Sequence, residues 1–274
     1  MREGDAIMTR EELRRVQALL NKVGGLLETD GFTGRNTRRA TREARALAGL
    51  PAGDKLDDAL VNWLATQPDP SPDLPTEGVT FIANEEVGGR DFYEKHASMP
   101  IWPGGASGIT IGVGYDLRFS ADIFEADWGP RLSTATLRKL RPWLGEHGSK
   151  AGADKLKAIR IPWTTSWQVF IGRSLPQFVG HTSRAYPTLP TLPGMCRAVL
   201  VSLVFNRGPG MEDSPGSDRR AEMRAIRDLL RAGKPEKVPE QLLSMRRLWP
   251  RARGLRERRA REAAKWIEGL GGGA

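Results

Sequence analysis

Apolar residues recur every three or four positions through the first quarter of the chain, a spacing typical of amphipathic helices. Val16 and Leu20 lie on one such face, and Thr9 with Glu12 has the pattern of a capping box at the start of that helix. Two further segments of the same kind follow, separated by glycine-bearing turns. The pattern predicts three short helices packed as a small bundle.

The periodicity stops at the sequence PDPSPDLPTEG, which is rich in proline and polar residues. Such a composition is typical of a semi-rigid linker. We therefore predict a helical module over residues 1–68, a linker over residues 69–78 and a second domain over residues 79–274.

The second domain combines helical segments with one short alternating stretch. Helices are predicted to begin at Ser120, Ser133 and Thr165, and the apolar residues between Pro193 and Gly208 nearly encircle a helix, which predicts a buried central helix. The stretch TIGVGYD alternates glycine with other residues and predicts a β-hairpin. The expected fold class is mainly α (α+β), with a small hairpin sheet.

The chain carries a net charge of +9, which indicates an anionic partner without specifying it. Arginines are concentrated in the N-terminal helices and in the segment RRLWPRARGLRERRAREAAKW. Two interpretations of this basic segment are open, a solvated helix face and an anion-binding surface. We expect no nucleic-acid partner, because no zinc, RRM or KH signature is present and aromatic residues do not alternate with basic ones.

The cysteine and histidine content limits cofactor chemistry. Cys196 is the single cysteine, so no internal disulfide can form, and its apolar neighbours predict a buried thiol. His96, His147 and His181 are far apart in the sequence, and we expect neither a metal site nor a cofactor. No apolar run reaches the roughly 20 residues that span a bilayer. The first residues lack a secretory h-region, so we expect synthesis in the cytoplasm without a standard signal peptide.

The richest stretch chemically is NEEVGGRDFYEKHASMPIWPGGASGITIGVGYD, residues 84–116. Glu85 and Glu86 end an apolar segment, Tyr93 follows seven positions after Glu86, and Thr110 begins the glycine-rich hairpin. This arrangement resembles the catalytic entry of the phage-type lysozyme (muramidase) family. The resemblance implies a lysozyme-like catalytic domain in which a glycan lies between the glutamate and the hairpin threonine.

The resemblance assigns roles residue by residue. The spacing to Tyr93 makes Glu86 the match to the family's catalytic acid, and Thr110 matches the threonine that orients water. The family's aspartate shortly after the tyrosine is missing here, since no aspartate occurs between Asp91 and Asp116. His96, near the expected position, and Asp116, after the strand, are the alternatives for a second catalytic group. Glu85 is expected to form a solvated salt bridge.

Several other residues have two interpretations. Tyr93, Trp102 and Tyr115 are candidates to stack on sugar rings, with core packing as the alternative. Asn206, at the end of the predicted central helix, is a candidate to bind substrate. The alternative is that Asn206 and Gly208 form the C-terminal cap of that helix.

The N-terminal module has a resemblance of its own. Val16 with Gln17, then Asp30-Gly31-Phe-Thr-Gly34, Thr37 and Ala40, resembles the motif of a peptidoglycan-binding module. The resemblance implies that Asp30, Phe32 and Thr37 contribute to a binding face. A spacer or a protein-contact bundle is the alternative.

Three functions are therefore open. The leading one is a muramidase that hydrolyses the β-1,4 bond between N-acetylmuramic acid and N-acetylglucosamine, as a phage or prophage endolysin does on the periplasmic or extracellular cell wall. The second is a lytic transglycosylase acting through Glu86 alone, and the third is a non-catalytic wall-binding or nucleic-acid-binding protein. The expected partners of a monomeric enzyme are peptidoglycan glycan strands and the anionic cell envelope.

Overall fold

The computed structural model of the chain describes residues 8–272 and is mainly helical with one small antiparallel sheet, which confirms the fold class predicted from the sequence. Contacts divide the chain into two compact units. The first contains residues 8–70 and 86–174, and the second contains residues 71–85 and 175–272. Among the described residues, no helix has both the length and the apolar character needed to cross a membrane.

Three helices begin the first unit, as the periodicity predicts: α1 Arg10–Lys22, α2 Arg35–Leu47 and α3 Asp58–Thr66. The capping box is confirmed, because the Thr9 side chain accepts from the Glu12 amide and the Glu12 carboxylate accepts from the Thr9 amide. Apolar side chains from all three helices form one core. Each valine or leucine side chain stabilises this core by about 1.5–3 kcal/mol when fully buried. Its buried members are Val16, Leu20, Leu27, Ala40, Ala44, Leu60 and Leu64.

The rest of the first unit consists of short helices around the hairpin. These are α5 Arg90–Phe92, α6 Phe124–Trp128, α7 Thr134–Leu140, α8 Lys150–Leu156 and α9 Trp163–Val169, with π-helical turns at Tyr93–Ala97 and Phe170–Ser174. Ser133 caps α7 through its hydroxyl, as predicted. The helix predicted to begin at Thr165 instead begins at Trp163, because the preceding Pro162 fits a helix start. Helix α8 was not predicted.

The hairpin consists of β1 Thr110–Ile111 and β2 Tyr115–Asp116, with Thr110 opposite Asp116 and Ile111 opposite Tyr115. Ile101 adds an isolated bridge to Thr110. Gly112 has φ 58°, and a Cβ there would lie 2.9 Å from the Trp128 ring. The loop between the strands therefore needs glycine both for its backbone conformation and for its close contact with α6.

The N-terminal helices and residues 86–174 share one compact unit through specific contacts. The Trp163 indole donates to the carbonyl oxygen of Gly24 at 2.6 Å, and the Arg90 guanidinium pairs with both carboxylate oxygens of Glu43. This compact unit therefore combines the predicted N-terminal module with part of the predicted second domain. That the predicted domains fold independently stays a prediction. The residues assigned to a linker, 69–78, include the first turn of the next helix and the buried side chain of Leu74.

Helix α4, Thr76–Val87, carries the glutamate pair and begins in the second unit. The remaining helices of that unit are α10 Leu175–Ala185, α11 Gly194–Arg207, α12 Ala221–Arg231, α13 Val238–Ser244 and α14 Arg253–Gly271. Helix α10 was not predicted. The prediction of a buried central helix is confirmed, since α11 is buried at Cys196 and at every position from Ala198 to Val204. Burial raises the pKa of the Cys196 thiol to about 12.

Helix α14 packs on α11 through a buried ionic cluster. One carboxylate oxygen of Glu262 accepts from the Ser202 hydroxyl at 2.8 Å, from Arg258 at 3.2 Å and from Arg259 at 2.7 Å. Arg258 also donates to the Ser202 carbonyl oxygen. Buried charges are tolerated only when they are paired and hydrogen-bonded, so these contacts fix the rotation of α14 on α11.

Candidate active site

Glu86 is the last residue but one of α4 and is half-buried. The helix ends after the buried Val87, because Gly88 and Gly89 have φ values of 68° and 86°, a conformation that favours glycine. Glu86 belongs to the same compact unit as Thr110, His96 and Asp116. The backbone of Glu86 is therefore helical, and the chain turns shortly after it.

Glu85 has a different environment, since its side chain is only 6% exposed. Its two carboxylate oxygens accept from Arg261 of α14 at 2.6 and 2.8 Å, and the Arg258 Nε lies 3.9 Å away. Glu85 forms the expected salt bridge, but the expectation that it is solvated was wrong, because the carboxylate is buried. Consecutive helical residues project about 100° apart, so Glu86 does not share this orientation.

Thr110 and Asp116 face each other across the hairpin, and directly opposite residues of an antiparallel pair lie on the same face of the sheet. Thr110 is buried, and its main chain exchanges two hydrogen bonds with Ile101. The Asp116 carboxylate accepts from the Gly108 amide at 3.0 and 3.1 Å and from the Arg118 amide at 2.9 Å. These bonds give Asp116 a role in holding the turns on either side of the hairpin.

His96 lies on the π-helical turn and is exposed to solvent. Its imidazole is 4.6 Å from the ring of Phe92, which is itself 52% exposed. The side chain is accessible, and no carboxylate orients it among the hydrogen bonds and ion pairs of the described residues. An unoriented, solvated imidazole is a poor match to a positioned general base.

Tyr93 and Tyr115 are buried, and their hydroxyls bond to the protein. The Tyr93 hydroxyl donates to the Ile161 carbonyl oxygen and is 2.5 Å from the Ser166 hydroxyl, and burial raises its pKa to about 12. The Tyr115 hydroxyl donates to Asp127, and burial together with that carboxylate raises its pKa. Both tyrosines therefore fit the interpretation of core packing better than that of stacking on a sugar ring.

Trp102 is the most accessible of the three aromatic candidates, with 36% of its surface exposed. Its indole N–H donates to the Ser107 carbonyl oxygen at 3.2 Å, which holds the ring over the loop. Gly148 lies against the ring edge, where a Cβ would come within 2.4 Å of the indole. The ring is thus fixed and partly open to solvent, the properties expected of a stacking platform.

Asn206 is half-buried near the C-terminal end of α11, in the second compact unit. Gly208 has φ 74°, and its amide donates to the Val204 carbonyl oxygen, so the helix ends in a glycine cap. The neighbouring Arg207 stacks on the Trp249 ring at 4.9 Å. Burial and the nearby charges of Arg220 and Arg219 lower the pKa of Arg207 to about 10.

The N-terminal motif forms a hydrogen-bonded turn around the buried Gln17. The Gln17 amide nitrogen donates to Asp30 at 2.8 Å and to the Phe32 carbonyl oxygen at 3.1 Å, and it lies 3.4 Å from the Thr37 hydroxyl. The Gly31 amide donates back to the Gln17 oxygen. Asp30 and Thr37 therefore hold the turn, whereas Phe32 is 58% exposed under the Arg10 guanidinium.

A groove of about 280 Å³ lies in the first unit between α3 and α9. Trp63, Trp167, Gln67 and Gln168 line it, together with the Lys22–Asp69 ion pair. Aromatic surface beside amide groups is suited to binding a polar ring such as a sugar. The sequence did not predict this groove, because its walls come from segments about 100 residues apart.

Asp127 is a second feature that the sequence did not reveal. Its carboxylate accepts from Tyr115 and from Arg173, and it is almost fully buried. These bonds attach strand β2 to α6 and to the π-helical turn after α9. Because the partners are distant in sequence, no local pattern indicates them.

Among residues 8–272, no cluster of three or more His, Cys, Asp or Glu side chains is arranged to hold a metal ion. A scan against protein-family models found no match to the chain, and a search of curated proteins found no similar sequence. The case for a function therefore depends on the geometry above and on the resemblance of the sequence motifs.

Proposed function

We propose that the protein is a muramidase that cleaves peptidoglycan glycan strands, with Glu86 as the general acid. The observation that carries the proposal is the separation of the glutamate pair. The Glu85 carboxylate accepts two hydrogen bonds from Arg261. Glu86 projects about 100° further round α4 and is its last residue but one, shortly before Gly88 and Gly89. A carboxylic acid near a helix end, in the same compact unit as a glycine-rich hairpin, suits a glycan-cleaving site.

In the proposed reaction, Glu86 protonates the glycosidic oxygen as the C1–O bond breaks, and water adds to C1 on the opposite face. The proton that this water loses passes to solvent, and solvent protonates Glu86 again for the next cycle. Thr110 orients that water through its hydroxyl and does not titrate. Asp116 acts as a positioning residue, because its hydrogen bonds from Gly108 and Arg118 hold the strand that carries Thr110.

Wall recognition is proposed for accessible aromatic surface rather than for the whole N-terminal motif. Phe32 and Trp102 are exposed, and Trp63 lines the groove beside two glutamines. Asp30 and Thr37 support the turn that presents Phe32. The acting compartment would be the cell wall, periplasmic or extracellular.

A lytic transglycosylase is the second candidate. One observation favours it: the carboxylate of Asp116, the acidic residue of the hairpin, is held by the backbone amides of Gly108 and Arg118. In a transglycosylase the sugar's own C6 hydroxyl attacks, so no second group has to activate water. Glu86 would serve both reactions.

The test uses the full-length chain on purified peptidoglycan, with the soluble fragments analysed by mass spectrometry. We expect Glu86→Gln to lower fragment release by at least about a thousandfold, since a general acid and its positioning carry most of the rate. Glu77→Gln is the matched control, because it makes the same change at the exposed start of the same helix. Full activity of Glu86→Gln would refute the mechanism.

Thr110→Val separates the two reactions, because valine keeps the shape and strand propensity of threonine and removes the hydroxyl. A hydrolase should lose activity, with reducing muramic acid ends in the wild-type products. A transglycosylase should keep activity and give anhydro-muramic ends. Wild-type protein that releases no fragments would contradict both proposals.

A further inference from the structure

A pocket of about 430 Å³ lies in the second unit, where the turn after α13 meets the start of α14. Leu243 and Pro250 form its apolar part, and the guanidinium groups of Arg246, Arg247 and Arg256 supply the rest of its lining. No acidic residue contributes to the lining. A concave site with three arginines and no carboxylate in its wall is suited to an anion.

The basic segment that contains these residues is for the most part internally neutralised. Arg253 pairs with Glu257, Arg261 pairs with Glu85, and Arg258 contacts Glu262. The exposed pair of Arg253 and Glu257 lies within α14 and fits the interpretation of a solvated helix face, whereas Arg261 and Arg258 bind buried carboxylates.

Arg247 is also compensated, although it lines the pocket. Its guanidinium is 2.6 Å from Glu222 and 2.8 Å from Asp218, and these carboxylates raise its pKa. Arg247 therefore contributes a fixed wall, and together with its two carboxylates it carries a net charge of −1. The two carboxylates hold it in one orientation.

Arg246 and Arg256 are different, because neither forms an ion pair within residues 8–272. The Nε of Arg246 is buried and has no hydrogen-bond acceptor in that range. Because Arg246 and Arg256 line the pocket and have no carboxylate partner in that range, the terminal donors of their guanidinium groups can bind an oxyanion there. Both side chains are half-buried and so partly pre-ordered.

The number of hydrogen-bond donors indicates the ligand class. Arg246 and Arg256 each carry a forked guanidinium group that can donate two parallel hydrogen bonds, and a phosphate monoester has three terminal oxygens to accept them. A carboxylate or a phosphodiester has only two such oxygens. The pocket volume also exceeds that of a single phosphate, which leaves room beside Leu243 and Pro250 for an organic group.

We propose that the pocket of Arg246, Arg247 and Arg256 binds a phosphate monoester, with Arg246 and Arg256 as the ligands of the phosphate oxygens. The inference does not depend on the muramidase proposal, because it concerns binding in the second unit and needs no peptidoglycan. Loss of glycan cleavage in Glu86→Gln and loss of phosphate binding are therefore separate results.

The test is isothermal titration of the full-length chain with glycerol 3-phosphate at constant ionic strength. Inorganic phosphate, dimethyl phosphate and acetate are titrated in parallel. We expect saturable binding of glycerol 3-phosphate and at least about tenfold weaker binding of dimethyl phosphate and acetate. Equal binding of inorganic phosphate supports the site and limits recognition to the oxyanion, and tighter binding of the ester supports contact with the organic group.

Arg246→Gln and Arg256→Gln should each weaken binding about tenfold or more. Arg231→Gln, on α12 and outside the pocket lining, removes the same charge and should change binding less than about twofold. Arg246→Lys keeps the charge and tests the forked geometry if the glutamine variant is unstable. The proposal is overturned if the wild type shows no saturable binding, if dimethyl phosphate binds equally, or if Arg231→Gln weakens binding as much.

Discussion

At the scale of single residues, the hydrogen-bond partners of a side chain decide its role. Glu85 and Glu86 are adjacent in the sequence, yet the Glu85 carboxylate is bound by Arg261 of a helix about 175 residues later. Asp30 and Asp116 carry the same carboxyl group and both accept backbone amides, so they organise turns. Local sequence identifies these acidic residues but not the donors that define their roles.

Glu85→Gln is expected to destabilise the protein by about 1–2 kcal/mol, because it removes a buried negative charge that faces Arg261. The value is reduced for the partial exposure of the Arg261 side chain. Chemical denaturation measures the effect, with the exposed Glu77→Gln expected to cost less than about 1 kcal/mol. Glycan cleavage per folded molecule should be retained.

The opposite pattern would count against the assignment of roles within the pair. If Glu85→Gln keeps full stability and loses activity, Glu85 rather than Glu86 is the acid. A direct comparison of the two glutamine variants in the same assay therefore decides which carboxylate is catalytic.

At the scale of secondary structure elements, the connection between α1 and α9 depends on one glycine. Gly24 has φ 90°, and a Cβ there would lie 2.7 Å from the Trp167 ring. Its carbonyl oxygen accepts from Trp163, and the neighbouring Lys22 carbonyl oxygen accepts from Trp167. The end of α1 therefore fits against α9 because no side chain is present at that position.

Gly24→Ala is expected to be strongly destabilising, with Gly49→Ala as its control. Both glycines have positive φ, and alanine costs about 1–2 kcal/mol in that conformation at either site. Gly49 faces open space, whereas Gly24 adds an overlap with Trp167 that costs a further 1–3 kcal/mol or so. The difference between the two variants in urea denaturation measures the overlap, and equal losses would contradict this packing.

At the scale of the whole molecule, stability depends on carboxylates distributed along the chain. The hydrogen bond from Gln17 lowers the pKa of Asp30, that from Arg39 lowers the pKa of Asp91, and that from Arg141 lowers the pKa of Glu125. Each group is more acidic in the folded state than in the unfolded chain. Protonation therefore favours unfolding.

The expected result is a fall in the melting temperature below about pH 4, the ordinary range of these carboxyl groups. Their stabilisation is fully present above that pH and is lost as the pH falls through the lower folded-state values. Thermal unfolding followed by circular dichroism from about pH 6 to pH 2.5 measures it. Asp30→Asn should reduce the slope, and a constant melting temperature over this range would contradict the prediction.

Much of the secondary structure is predictable from local patterns. The capping box at Thr9, the Ser133 cap and the encircled apolar helix α11 depend on residues within one or two turns of each other. Helices α8 and α10 were not predicted, because they contain fewer apolar residues than the helices that were predicted. Contacts with the core stabilise them instead. The motif identified the residues of the candidate site. It did not identify their hydrogen-bond partners, such as Arg261 for Glu85.

The sequence by itself determined the fold class, the central helix and the buried thiol of Cys196. Each follows from side-chain chemistry and spacing along a few turns. Only the tertiary structure decided that Glu85 is buried in ion pairs, that Asp116 is bound by backbone amides, and that Arg246 and Arg256 share a pocket. Those outcomes depend on contacts between residues that are distant in sequence, whose pairing is set by packing of the core.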